Sequence, residues 1–319
     1  MLTLRNFQET IEQRVECTTS KRTFNYLEYN EDDDIDLDKL SLEWTEFVSE
    51  GAKAKAKVRV YRTTYDGNSV VIKAYTSPMS NMITHELTIS KYLESLNLPN
   101  YPKVYGIIHS STMQELTRGD CKSRALVMSY CPGMSLGDWL CKHWRNESEV
   151  NKMLQHVFIA LESAYVYLRF THYDLYTSNI LVCTLDEPKT FDICIKGTLY
   201  EITSRYYPVI IDFGMSRVTC EPYDAGMSGF QKYGIDVCPN PSYDIMRLLR
   251  TIVKACPELH DKMIDLITGL IMVDDGTVDW AHELIKKRVG SGKFDLAYQY
   301  WPFNLNIRYI EVADYIESS

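Results

Sequence analysis

Val150, Leu154, Val157, Leu161, Tyr165 and Leu168 recur every three or four residues, a stripe that only a long amphipathic helix keeps on one face. The residues after the stripe constrain the fold further. A polar loop, His172-Tyr173-Asp174-Leu175-Tyr176-Thr177-Ser178-Asn179, runs straight into the strand-like triplet Ile180-Leu181-Val182. A second apolar run, Val209-Ile210-Ile211, ends in Asp212-Phe213-Gly214, where the glycine frees the turn after the aspartate. Such a chain must deliver two carboxylates and one amide to the ends of short buried strands beside a long helix.

Upstream the pattern is that of strands. Val58 and Val60 alternate with Arg59 and Tyr61, Asp66-Gly67 reads as a hairpin turn, and Asn68 to Tyr75 returns as a β-branched strand carrying Lys73. A helix comes next, with Glu86, Ile89 and Leu93 on one face. Leu126-Val127-Met128 is a short buried strand broken by Cys131-Pro132-Gly133, and a helix opens after Ser135. Beyond Asp212 a loop runs to about Pro241, and Tyr243 to Cys256 is helical. The stretch from Thr184 to Tyr207 alternates like one more hairpin, expected to decorate the surface. The fold class is therefore α+β, a small β-rich part joined to a larger helical part.

Composition narrows the function classes. The net charge is −9, but six acidic side chains lie within Glu31-Asp32-Asp33-Asp34-Ile35-Asp36-Leu37-Asp38, so the rest is only mildly acidic. No net basic footprint exists for broad nucleic-acid binding. The acidic run reads as a solvated loop, with docking of a basic partner as the sharper alternative. Nine cysteines without a CxxC pair suggest free thiols in a reducing compartment and argue against zinc. Met1-Leu2-Thr3-Leu4-Arg5-Asn6 turns polar too soon for a signal peptide, and no apolar run is long enough to span a bilayer. The expectation is a soluble intracellular protein without membrane contact, in the cytoplasm, or in host cytoplasm or virion if the chain is viral.

Moving a γ-phosphoryl group requires neutralising triphosphate charge and aligning a hydroxyl. An Asp at a strand end can hold magnesium, a second Asp can hold the acceptor, an Asn five residues on can reach another metal ion, and a strand Lys can grip phosphates. With Val70-Val71-Ile72-Lys73, the His172–Asn179 loop and Asp212-Phe213-Gly214 in this order, the stretch from about Glu50 to about Ala255 resembles the eukaryotic-type protein-kinase superfamily. The likeness is to divergent members, such as haspin-like kinases and serine/threonine kinases of large DNA viruses.

The resemblance implies a bilobal kinase-like fold: 1–48 an N-terminal extension with the acidic run, 49–131 the small lobe, and 132–319 the large lobe with an insert near 184–207. It implies ATP and Mg2+ as cofactors and a protein Ser/Thr hydroxyl as acceptor. Asp174, Lys73 and Glu86 become the catalytic set, and Asn179 and Asp212 the metal ligands. Gly51, Lys53 and Val58 would cover the nucleotide, with Lys73 on its phosphates. Met128 would back the adenine, the backbone of Ser129 and Cys131 would meet its edge, Ser135 or Asp138 the ribose, and Leu181 would form the floor. Asp244 would brace the catalytic loop, although a helix N-cap is the plainer reading.

Four departures stand out. Lys53 and Ala56 occupy two glycine positions of the phosphate hairpin, limiting how closely backbone N–H groups approach phosphate. Tyr173 replaces the Arg that commonly binds a phosphorylated activation loop. Tyr176 replaces a Lys that many serine/threonine kinases hold beside the γ-phosphate, with Lys53 the candidate substitute, while Lys53, Lys55 and Lys57 are candidates to supply charge at the altered hairpin. No Ala-Pro-Glu precedes Asp244. Two alternatives stay open: a pseudokinase scaffold, and a small-molecule kinase, since aminoglycoside and choline kinases share the His-x-Asp and downstream Asn.

Overall fold

The computed structural model describes residues 34, 36, 39–40, 46–53, 56–75, 80–109, 111–113, 124–220, 223–225, 240–272 and 308–318. Most of the 31–38 run, all of Lys55 and the side chains of Lys53 and Lys57 lie outside them.

Five antiparallel strands form the first sheet: β1 (Glu46–Lys53), β2 (Ala56–Tyr65), β3 (Asn68–Tyr75), β4 (Val104–Ile108) and β5 (Ala125–Ser129), in spatial order β1-β2-β3-β5-β4. Asp66 and Gly67 both take positive φ, 49° and 73°, in the two-residue turn that pairs Tyr65 with Asn68. That is the turn geometry whose twist matches the flanking strands. Val70, Ile72 and Ala74 pack one sheet face with Leu40, Ile108 and Met113. The other face meets α1 (Ser80–Glu94), where Ile83 and Leu87 join Ile107, Leu126 and Met128. Asp34 extends toward the sheet edge, bridging Ile107 through its backbone and pairing with His109 Nε2 at 2.7 Å.

The larger core is helical. A short β6 (Gly133–Ser135) leads into α2 (Leu136–His143), capped by Ser135, and then α3 (Glu147–Leu168), capped by Asn146 and stopped by Arg169 in the left-handed region at φ 51°. The apolar stripe read from the sequence is the buried face of α3. Next come the long strands β7 (Ile180–Ile195) and β8 (Thr198–Ile210), the ribbon β9 (Val218–Cys220) and β10 (Tyr223–Ala225), and α4 (Pro241–Ala255), α5 (His260–Met272) and α6 (Tyr309–Ser318).

Strands β6, β7 and β8 form a three-stranded sheet. A Cβ on Gly133 would lie 2.6 Å from the Val182 carbonyl oxygen, so only glycine lets β6 cross β7 this closely. The 184–207 hairpin corrects the expectation of a surface decoration. Phe191, Ile193, Ile195 and Ile202 are buried, and the three isoleucines belong to the main core with α3 and α6. Its other face carries the polar positions, as strand alternation requires. Among the described residues no helix is long and apolar enough to cross a membrane, and Cys131, Cys141, Cys183, Cys194 and Cys256 are free thiols.

Candidate active site

Three charged side chains meet where the first sheet faces the helical core. Lys73, central on β3, donates from Nζ to Glu86 Oε1 at 2.7 Å and Oε2 at 2.9 Å, and to Asp212 Oδ1 at 2.7 Å. Glu86 is wholly buried on α1, and its Oε1 also accepts the Phe213 N–H at 3.3 Å. Glu86 thus fixes both the lysine and the backbone after Asp212. Asp212 is more open, with 27% of its side chain exposed, and sits at φ 68°, a left-handed conformation that costs a non-glycine residue roughly 1–2 kcal/mol. Strain of this kind persists where surrounding contacts over-determine it. Here they are the Lys73 ion pair and the Phe213 ring, which packs against Tyr101, Phe170 and His172. Phe213 also belongs to the same buried cluster as Ile89, Tyr92 and Leu93 of α1. His85, which the sequence reading passed over, ties α1 to the same segment by donating from Nε2 to the Ser216 carbonyl at 2.9 Å. Burial pulls its pKa below the ordinary value, against the opposing effects of that bond and of Glu86.

The loop of Asp174 and Asn179 lies alongside. Asn179 Nδ2 donates to the Asp174 carbonyl at 2.7 Å, and the Asn179 carbonyl accepts Ile211 N–H at 2.9 Å, one residue before Asp212. His172 receives Asp174 N–H on Nδ1 at 3.3 Å and faces the Ile211 carbonyl with Nε2 at 3.0 Å. One neutral tautomer satisfies both contacts, which makes His172 a spacer between the two acidic strand ends. Beneath the loop, Asp244 accepts from His172 N at 2.6 Å, Tyr173 N at 2.8 Å and Tyr309 Oη at 2.7 Å. Burial pushes the Asp244 carboxyl above its usual pKa, while His172 and these three hydrogen bonds pull the other way. The helix N-cap is Asn240 instead, whose side chain accepts from Ser242. Asp244 is therefore the brace of the loop and not the cap of α4. Tyr173, held between Asp244 and Arg247, takes φ 58°.

Two residues of this part escaped the sequence reading. Arg247 stands 3.1 Å from Asp174 Oδ1 and donates to the Tyr173 carbonyl and to Tyr243 and Tyr176 hydroxyls. It lies one helical turn after Asp244, a spacing that puts both on the face toward the loop, so a signal was present. Tyr309 reaches in from a distant helix, and nothing local marks it.

The positions expected to meet a nucleotide are placed as follows. Val58 and Val71 are half-buried against the cluster of Met128. Ser129 donates its N–H to the Lys103 carbonyl at 2.8 Å, which commits the amide and leaves the carbonyl as the group it can offer. Cys131 is half-buried beside it. Ser135 Oγ bonds Asp138 Oδ2 at 2.7 Å while capping α2, so both ribose candidates serve the helix start here. Ile180 and Val182 point into the core, so Leu181 between them turns to the opposite side and is half-buried. Gly51 and Lys53 lie on β1, Gly51 paired with Val58 and Lys53 with Ala56.

No family model matches the chain. It is 25% identical over 230 residues, 71% of this chain and 42% of the relative, to a protein of Invertebrate iridescent virus 3 named "Probable kinase 098L". It is 30% identical over 173 residues, 49% of this chain and 14% of the relative, to "Uncharacterized protein 179R" of Invertebrate iridescent virus 6. The matches span less than half the length of both viral relatives. They make the chain similar to a viral kinase-like protein at a distance.

Proposed function

We propose that this chain is an ATP- and Mg2+-dependent kinase of bilobal type, with 49–131 as small lobe and 132–319 as large lobe, acting on protein Ser/Thr hydroxyls. The observation that carries the reading is Lys73 Nζ at 2.7 Å from both Glu86 and Asp212, beside the Asp174–Asn179 loop. A lysine so held presents its charge to α- and β-phosphates, beside the partly exposed Asp212 carboxylate at a strand end.

The donor set fits magnesium. Asp212 offers a partly exposed carboxylate, and the Asn179 amide nitrogen is committed to the Asp174 carbonyl, which leaves its oxygen as the group it would offer a metal. Mg2+ takes few protein oxygens and keeps water and phosphate for the rest. When bound, the metal neutralises charge on the phosphates. Asp174 orients the acceptor hydroxyl and takes its proton late, so alignment supplies more of the rate than proton abstraction. Val58, Val71 and Leu181 enclose the adenine, with Met128 behind and the Ser129 carbonyl and Cys131 backbone along its edge. We assign the 31–38 run to docking of a basic partner, and the net charge of −9 argues against broad nucleic-acid binding.

The scaffold alternative draws on Lys53 and Ala56 in the glycine positions. It has no use for a lysine held by two carboxylates. Transfer of labelled γ-phosphate to generic proteins and to the chain itself separates the readings. We expect label on protein hydroxyls, abolished by Asp174→Ala and strongly reduced by Lys73→Ala. No label even at high protein would favour a scaffold, label on small alcohols or amines alone a small-molecule kinase, and equal label in all three proteins would refute the assigned roles.

A further inference from the structure

The loop from His172 to Asn179 contains neither Lys nor Arg. Phosphoryl transfer nonetheless spreads negative charge over three equatorial oxygens, and a fixed cation near them is among the largest contributions a site can make. Helix α4 brings one. Arg247 reaches Asp174 Oδ1 at 3.1 Å, and its side chain stays 19% exposed. It is aimed rather than draped. Nη1 donates to the Tyr173 carbonyl at 3.0 Å and to Tyr243 Oη at 2.6 Å, and Nη2 bonds Tyr176 Oη. The guanidinium carbon stands 4.3 Å from the Tyr176 ring centroid and 5.6 Å from that of Tyr243. Aromatic faces on a guanidinium hold both its charge and its plane. Tyr176, standing where the loop lacks a lysine, is therefore a seat for an arginine from another element.

We propose that Arg247 is the charge-stabilising and positioning residue of phosphoryl transfer in this chain, delivered from α4 and seated on Tyr176 in place of a loop lysine. The inference rests on the kinase reading above. In the step, the acceptor oxygen forms a bond to the γ-phosphorus as the bond from that phosphorus to the β,γ-bridging oxygen breaks. ADP leaves with the electron pair, and the acceptor proton passes to the Asp174 carboxylate. Arg247 is one hydrogen bond from Asp174, and Asp174 would be one from the acceptor, so the guanidinium reaches the reacting atoms through that carboxylate. It acts through its field and by fixing the carboxylate that touches the acceptor.

The test is a charge-replacement series read by kcat, ATP KM, Mg-ADP binding and thermal melting. Arg247→Met should lower kcat about 100- to 1000-fold, the usual loss of one oriented electrostatic group, with KM and Mg-ADP affinity within about threefold. Arg247→Lys keeps the charge but not the fork, and should lose about tenfold. Adding Tyr176→Lys to Arg247→Met should recover at least about tenfold, because the charge returns from the loop side. A merely structural arginine would instead give equal losses in Met and Lys variants, a matching fall in melting temperature, and no recovery from Tyr176→Lys. If Arg247→Met does not melt cooperatively, Arg247→Lys decides: retained KM with a tenfold kcat loss supports the assignment, and a loss like that of Asp174→Ala overturns it. Wild-type transfer with an unchanged Arg247→Met would sink this inference alone; no transfer by wild type would sink the kinase reading and this inference with it.

Discussion

The two corners of the site are built by opposite means. At the first, Lys73, Glu86 and Asp212 come from three separate elements and hold one another by charge. At the second, the loop of Asp174 is held from below by a single buried carboxylate, Asp244, which accepts two backbone N–H groups and one phenol. Remove either carboxylate of the first and Lys73 still has the other. Remove Asp244 and three buried donors lose their acceptor together. Charge built across elements tolerates loss in folding terms and fails in function; a buried brace fails in folding first.

The largest expected effect comes from that asymmetry. Asp244→Ala should lower unfolding free energy by about 4 kcal/mol, because each orphaned buried donor costs roughly 1–3 kcal/mol and relief of the desolvated carboxylate returns only part. Glu86→Ala should cost about 2 kcal/mol, below the usual loss for a broken buried pair because Asp212 remains beside Lys73. Urea unfolding of both variants measures the gap. Equal losses would break the comparison, and a larger loss for Glu86→Ala would reverse it.

The same asymmetry explains what could be read in the chain. The charged corner was legible because its members are chemically conspicuous: Lys73 in an apolar strand, Glu86 on a helix face thirteen residues on, Asp212 after three aliphatic residues. The long helix was legible from period, and the Asp66-Gly67 turn from its residue types. The braced corner was legible only in part. Asp244 read as a brace with a helix cap as its alternative, and what decides it is Asn240, whose capping bond is a matter of three-dimensional placement. Arg247 looked like an ordinary helix cation. Tyr309 is joined to the loop by packing between elements far apart in sequence, which no local pattern encodes. The hairpin was found, but its burial was not, because alternation gives two faces without saying whether a second layer waits for one of them.

Next in size is a pH effect confined to the packed half. His156 is buried on α3, its Nε2 near Asn100 Nδ2 at 3.1 Å and its ring against Phe191. Burial lowers its pKa to about 3 from an ordinary 6.5. A histidine depressed in the folded state is protonated first in the unfolded chain, so stability is full above about pH 6.5 and falls as pH drops from there toward 3. Between pH 7 and pH 5 the loss from this group should be about 2 kcal/mol. His156→Gln should flatten the stability profile over that window while the acid limb due to carboxylates remains. An unchanged slope would show that the histidine does not set it, and would remove the packed half's distinctive response.

The smallest effect gives the sharpest view of the brace. Tyr309 is fully buried, and burial with the nearby Asp244 carboxylate holds its hydroxyl firmly in the protonated, donating form. Tyr309→Phe removes only the oxygen, so α6 keeps its packing against Tyr165 while Asp244 loses one of three donors. The cost should be about 1.5 kcal/mol, the value of a hydrogen bond to a carboxylate. Combined with Asp244→Ala in a double-mutant cycle, the coupling should approach that figure, since each single variant removes the same bond. A coupling near zero would mean that α6 steadies the loop through packing alone, and the second corner would then rest on its two backbone bonds.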